Sequence, residues 1–176
     1  MTNPKKITRR TFIASSILAG TALALLPQGA KTNIKIDLFK TLKAVQQVLF
    51  PEGLKAPSAN AYGATAYLAN VSSHSSFLDS DLHFLKRGTQ ALMNEYNDFL
   101  SLNAKEQDEA LRDFVENTDI GKNWVSFVLY FSIESLLSSP IYGGNKNESG
   151  WKWLKHNAGV PQPKVPFAQN SKGEVI

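Results

Sequence analysis

Three groups of residues in this chain are of types that could do chemistry: its histidines, one carboxylate set in an apolar run, and a glycine-rich aromatic segment. The histidines, His74, His83 and His156, stand far apart. Metal-ligating pairs usually lie at short spacings such as i, i+4, so the pattern reads as solvent-exposed histidines and no metal site is expected. Glu134 lies among Phe131, Ile133, Leu136 and Leu137. A carboxylate so placed suits general acid–base work, but no second catalytic group stands near it in sequence. The better reading is structural: Glu134 bonds a loop amide or an Arg/Lys and organises the segment that follows. No GxGxxG fingerprint follows a strand, so no dinucleotide site of that type is expected, and Gly143-Gly144 alone is too little for a phosphate cradle. The chain has no Cys, which removes disulfides, CxxCH haem attachment and iron–sulfur ligation.

The third group is the most informative. It runs Ser139-Pro140-Ile141-Tyr142-Gly143-Gly144-Asn145, with Gly150-Trp151 following. Pro140 stops a helix. The two glycines permit positive φ or close backbone approach, and Asn145 tolerates the left-handed region. Tyr142, Trp151 and Trp153 offer apolar bodies with polar handles, as interfaces do. Two readings stay open on these residues: a surface offered to a partner, or a loop packed on its own helices.

The elements that must position these residues are helical. Leu38, Leu42, Val45, Val48 and Leu49 recur at helical spacing after a cap at Asp37, and Pro51 ends the run near Phe50. Ser58 caps a second helix expected over 59–71. A third is expected over 79–100, where Leu82, Leu85, Leu92, Tyr96 and Phe99 recur; Gly88 inside it marks a close helix approach. Asn103 and Glu106 form a capping box for a helix that buries Leu111, Phe114 and Val115. The last helix, 121–138, is apolar nearly all round, from Trp124 and Phe131 to Leu137, so it is central or covered by a partner. From about residue 139 a Gly/Pro-rich irregular tail is expected. The fold class is all-α, with about five helices.

The N-terminus carries an address. Lys5, Lys6, Arg9 and Arg10 precede an apolar run of 15 residues, Phe12 to Leu26. A membrane span needs about 20 such residues, whereas a signal core needs roughly 7–15. Arg9 and Arg10, followed after one residue by Phe12, look like a twin-arginine export motif. Residues 1–30 are therefore read as a signal peptide and 31–176 as a single domain. Those first 30 residues hold four of the 19 Lys/Arg and none of the 15 Asp/Glu, so the remainder carries 15 of each sign and the whole chain's charge of +4 belongs to the address. A nucleic-acid partner, which would want a basic domain, is not expected.

Taken together, the twin-arginine signal, the all-helical domain and a final helix running into Pro140, Tyr142, Gly143, Gly144, Asn145 and Trp151 resemble the gluconate 2-dehydrogenase subunit 3 family. Ser135 and Ser139 depart from the family's usual Gly and acidic residue, and Asn157-Ala158-Gly159 replaces a Gly-x-Pro-Gly-like turn. The resemblance implies a small subunit, not catalytic by itself and without a cofactor of its own, in an oxidoreductase complex. Its implied partners are a large flavin (FAD) subunit, a multi-haem cytochrome c subunit and the twin-arginine translocase. The implied site is the periplasm, held at the inner membrane through those partners. On this reading Trp124, Phe131, Pro140, Tyr142, Gly143, Gly144, Asn145 and Trp151 form the partner interface and Glu134 braces the loop from within. The alternative is a stand-alone periplasmic carbohydrate-binding or hydrolytic protein built on Glu134 and the Trp/Tyr cluster, which would need a second carboxylate across a cleft.

Overall fold

The computed structural model describes residues 37–165, so Arg9, Arg10, Phe12 and the rest of the expected signal lie outside the described residues. The described residues are helical and contain no strand. Helix α1, Leu38–Leu49, begins where Asp37 accepts a hydrogen bond from the Lys40 amide at 3.1 Å. It ends before Pro51, with the Phe50 amide donating to the Gln46 carbonyl.

The helix expected over 59–71 is two helices, α2 (Ala59–Tyr62) and α3 (Ala64–Ser72). Ser58 caps the first as expected, accepting from the Ala61 amide. The break is Gly63, whose φ of +82° lies in the left-handed region that favours glycine. A side chain there would also meet the Gly143 carbonyl oxygen at 2.8 Å. The break is therefore imposed by a segment 80 residues away and has no local sign beyond the glycine itself.

Helix α4, Asp79–Glu95, starts where expected but stops five residues early. The chain then turns so that Phe99, fully buried in a 3-10 turn over Phe99–Ser101, enters the core. The Tyr96 hydroxyl donates to the Asp113 carboxylate of the next helix, which holds that turn in place. Helix α5, Ala104–Asn117, carries the expected capping box: Asn103 accepts from the Glu106 amide and Glu106 from the Asn103 amide. It buries Leu111 and Phe114, while Val115 is only half-buried.

Helix α6, Gly121–Leu137, packs against α1, α3, α4 and α5 and is the centre of the fold. Its Trp124 is fully buried, edge-on to Phe114, and donates from Nε1 to the Leu85 carbonyl at 3.2 Å. The indole lies where a Cβ on Gly88 would stand, 2.0 Å from that position. Gly88 is thus the close-approach site expected, with an aromatic ring in place of a helix backbone. Beyond α6 the chain is less irregular than expected. Short 3-10 turns at Pro140–Tyr142 and Lys146–Glu148 lead into a seventh helix, α7, Ser149–Leu154. Among the described residues, no helix is long and apolar enough to cross a membrane.

Candidate partner-binding face

The C-terminal end of α6 exposes carbonyl groups that need partners, and the Pro140–Trp151 segment supplies them. Pro140 opens the first turn, Gly143 closes it with φ +89°, and Asn145 follows at φ +43°. Asn145 is fully buried. Its Nδ2 donates to the Ser138 carbonyl at 2.9 Å and its Oδ1 accepts from the Gly150 amide at 2.8 Å. One side chain thereby closes α6 and starts α7. Trp151 Nε1 donates to the Leu137 carbonyl at 2.8 Å, which satisfies another group at the same end. The glycines are there because backbone passes within contact of them: a Cβ on Gly144 would lie 2.5 Å from the Ser135 carbonyl oxygen, and one on Gly150 would lie 1.9 Å from that of Leu136. From the other side, Asn70 Nδ2 of α3 donates to the Tyr142 carbonyl at 3.1 Å.

Several residues expected at an interface are therefore interior. Trp124 and Phe131 belong to the hydrophobic core, and Gly144 and Asn145 are buried in the joint between α6 and α7. Pro140, Tyr142, Gly143 and Trp151 are half-buried at its edge. The hydrogen bonds that brace the loop come from Asn145 and Asn70. Glu134 lies beside Tyr67 of α3, with which it lines a cleft. Burial, and then the charge of Glu134, push the Tyr67 hydroxyl well above the ordinary tyrosine range, so it stays a proton donor.

What α6 does present outward is a different set. Tyr130, Ile133 and Leu137 lie at i, i+3 and i+7, and with Trp153 and Leu154 of α7 they are between 42% and 58% exposed. They are what remains of the all-round apolar helix once the stripe Trp124, Val128, Phe131, Ser135 is assigned to the core. Scattered exposed apolar residues are ordinary; here they recur in a row along one helix, and Leu137 lines a cleft with Leu154 of the next. Leu137 divides two clefts along it. One, of about 450 Å³, is lined by Tyr67, Val71, Glu134, Leu137, Ser138, Ser139 and Tyr142. The other is lined by Leu137, Trp151, Leu154, Lys155, His156 and Asn157.

The histidines sit apart and make local contacts: His74 with Ser76, His83 with the Asp79 carbonyl, His156 beside the Trp151 ring. Among the described residues no group of three His, Asp or Glu side chains is placed to hold a metal ion.

The family model described as Gluconate 2-dehydrogenase subunit 3 matches residues 37–159, from the cap of α1 through both clefts. The chain belongs to the gluconate 2-dehydrogenase subunit 3 family. Comparison with curated proteins and with solved structures gives no match. A subunit 3 is one part of a dehydrogenase, so its partners are dehydrogenase subunits. The apolar row on α6 and α7 lies inside the matched span.

Proposed function

We propose that this chain is the non-catalytic small subunit of a periplasmic, membrane-associated FAD-dependent gluconate or sugar dehydrogenase. In this reading it stabilises the large flavin subunit and escorts it through twin-arginine export by means of Arg9, Arg10 and Phe12. FAD belongs to the flavin subunit and haem c to a multi-haem cytochrome c subunit, with no cofactor in this chain. The observation that carries the reading is the outward apolar row of Tyr130, Ile133, Leu137, Trp153 and Leu154 in a chain of this family. Partner interfaces centre on such anchors, ringed by polar groups that exclude water. The half-buried Tyr142 and Trp151 stand at the edge of the same surface.

Co-purification with the flavin subunit tests the reading. Changing Ile133 and Leu137 together to Asp should lower the affinity at least about 30-fold, because buried anchors typically cost about 2 kcal/mol or more when lost. The fold should be retained, since both side chains are more than 40% exposed, with a modest fall in melting temperature because an acidic residue at Leu137 stands at the negative end of α6. Wild-type affinity in the doubly substituted protein would place the interface elsewhere. For export, Arg9 and Arg10 changed together to Lys should leave both subunits in the cytoplasm; normal periplasmic yield would assign the general secretory route instead.

A further inference from the structure

The cleft beside Leu137 holds a carboxylate that forms no ion pair among the described residues. Glu134 is half-buried and lines the cleft together with Tyr67, whose hydroxyl is raised above the ordinary tyrosine range by burial and then by the charge of Glu134. Among the described residues the ion pairs are Lys105–Glu109, Arg112–Asp108 and Lys152–Glu148, and none includes Glu134. A carboxylate can accept about four hydrogen bonds, so most of its capacity faces the cleft. Its position sharpens the imbalance. Glu134 lies in the last turn of α6, where its own carbonyl accepts from the Ser138 amide. The helix dipole there is negative and favours a cation. An acidic side chain at that end adds negative potential where the backbone already supplies some.

The remaining walls narrow the kind of cation. Val71 and Leu137 are apolar, Tyr67 and Tyr142 bring aromatic rings, and Ser138 and Ser139 bring hydroxyl acceptors. A guanidinium fits such walls better than an ammonium. It is planar, more weakly hydrated, stacks on aromatic faces and meets a carboxylate with two parallel donors. The cleft also borders the apolar row, so a side chain entering it would come from whatever covers that row.

We propose that the cleft of Tyr67, Glu134, Leu137 and Tyr142 receives an arginine side chain of the docked partner, which pairs with Glu134 at the edge of the apolar contact. This rests on the partner reading above and adds to it a charge-specific anchor. Glu134 thus sets register and selectivity, while Tyr130, Ile133 and Leu137 supply the apolar contact.

The test is the affinity of the full-length small subunit for the purified flavin subunit, measured at low and high salt. Glu134→Gln keeps the shape and one acceptor oxygen but cannot pair with a cation. It should weaken binding at least about 30-fold at low salt, as expected when one partner of a desolvated charge pair is removed. It should also flatten the salt dependence. Leu137→Ala should weaken binding but leave the salt dependence as in wild type. Glu134→Arg should be rescued by an Arg→Glu change at one surface position of the flavin subunit. Wild-type affinity and wild-type salt dependence in Glu134→Gln would overturn the arginine anchor while leaving the partner reading intact. No complex from the wild-type pair would overturn both. A lowered melting temperature of isolated Glu134→Gln, or its altered self-association, with no change in partner affinity would assign the cation to this chain itself and also overturn the proposal.

Discussion

The two sides of the fold close their helices in different ways. On one side, α5 is capped by neighbours: Asn103 and Glu106 satisfy the first amides within three residues, and Glu109 and Arg112 turn charge to water. On the other, the end of α6 is capped by Asn145 and Trp151, from seven and 14 residues further on, and the outward face is Tyr130, Ile133 and Leu137. The first side is finished by itself. The second is braced from inside and left apolar outside, which separates two roles that sequence tends to merge. The residues that make the joint are buried by it, and those available to a partner lie beside it.

That comparison can be broken by substitution. The largest effect should come from Asn145→Ala, which leaves the Ser138 carbonyl and the Gly150 amide without their partner. At about 1–3 kcal/mol for a buried group, and less for the Ser138 carbonyl, whose bond is only part-buried, denaturant unfolding should show a loss of roughly 2–4 kcal/mol. A loss below about 1 kcal/mol would mean that α7 is not held by this side chain. Next is Gly88→Ala. Helix propensity alone predicts a gain of up to about 1 kcal/mol, but the Trp124 ring occupies the site. Crowding of a packed core costs about 1–3 kcal/mol, so the melting temperature should fall; a rise would show that the indole moves aside freely. Asn103→Ala should cost about 1 kcal/mol of stability with partner affinity unchanged, which sharpens the contrast between the two sides. Smallest is Arg112→Gln, which removes an exposed pair with Asp108 and should leave the denaturant midpoint unchanged within error.

What sequence reveals here follows the range of the interactions. The bounds of α1, the Asn103–Glu106 box and the start of α4 depend on residues three or four apart, and all are legible from spacing. Gly88 is legible as a close approach because a glycine in the middle of an otherwise regular helix has few other uses. The break at Gly63 is not, because its cause, the Gly143 carbonyl, is far along the chain. Helix α7 is hidden for the same reason. Residues 146–150 include Gly, Asn and Ser, poor helix formers, and the helix exists because Asn145 holds its first turn. At the candidate face, the family is carried by Pro140, Tyr142, Gly143, Gly144, Asn145 and Trp151, yet those residues mostly build the joint. The outward row was hidden by excess: on a helix apolar all round, spacing does not say which stripe the core takes until α1, α3, α4 and α5 are placed.

The three tryptophans occupy three different surroundings. Trp124 is sealed in the interior, Trp151 is half-buried with its indole bonded to the Leu137 carbonyl, and Trp153 is exposed on α7. The protein therefore carries its own optical reporter. Emission from Trp124 is insulated from events at the surface, whereas Trp153 and Trp151 stand in or beside the apolar row. Covering that row removes water from the exposed indole and should shift its emission to shorter wavelength, while the interior signal holds still as an internal standard. Docking can thus be followed on the unlabelled chain, with the quenchable fraction of the fluorescence reporting occupancy of the face.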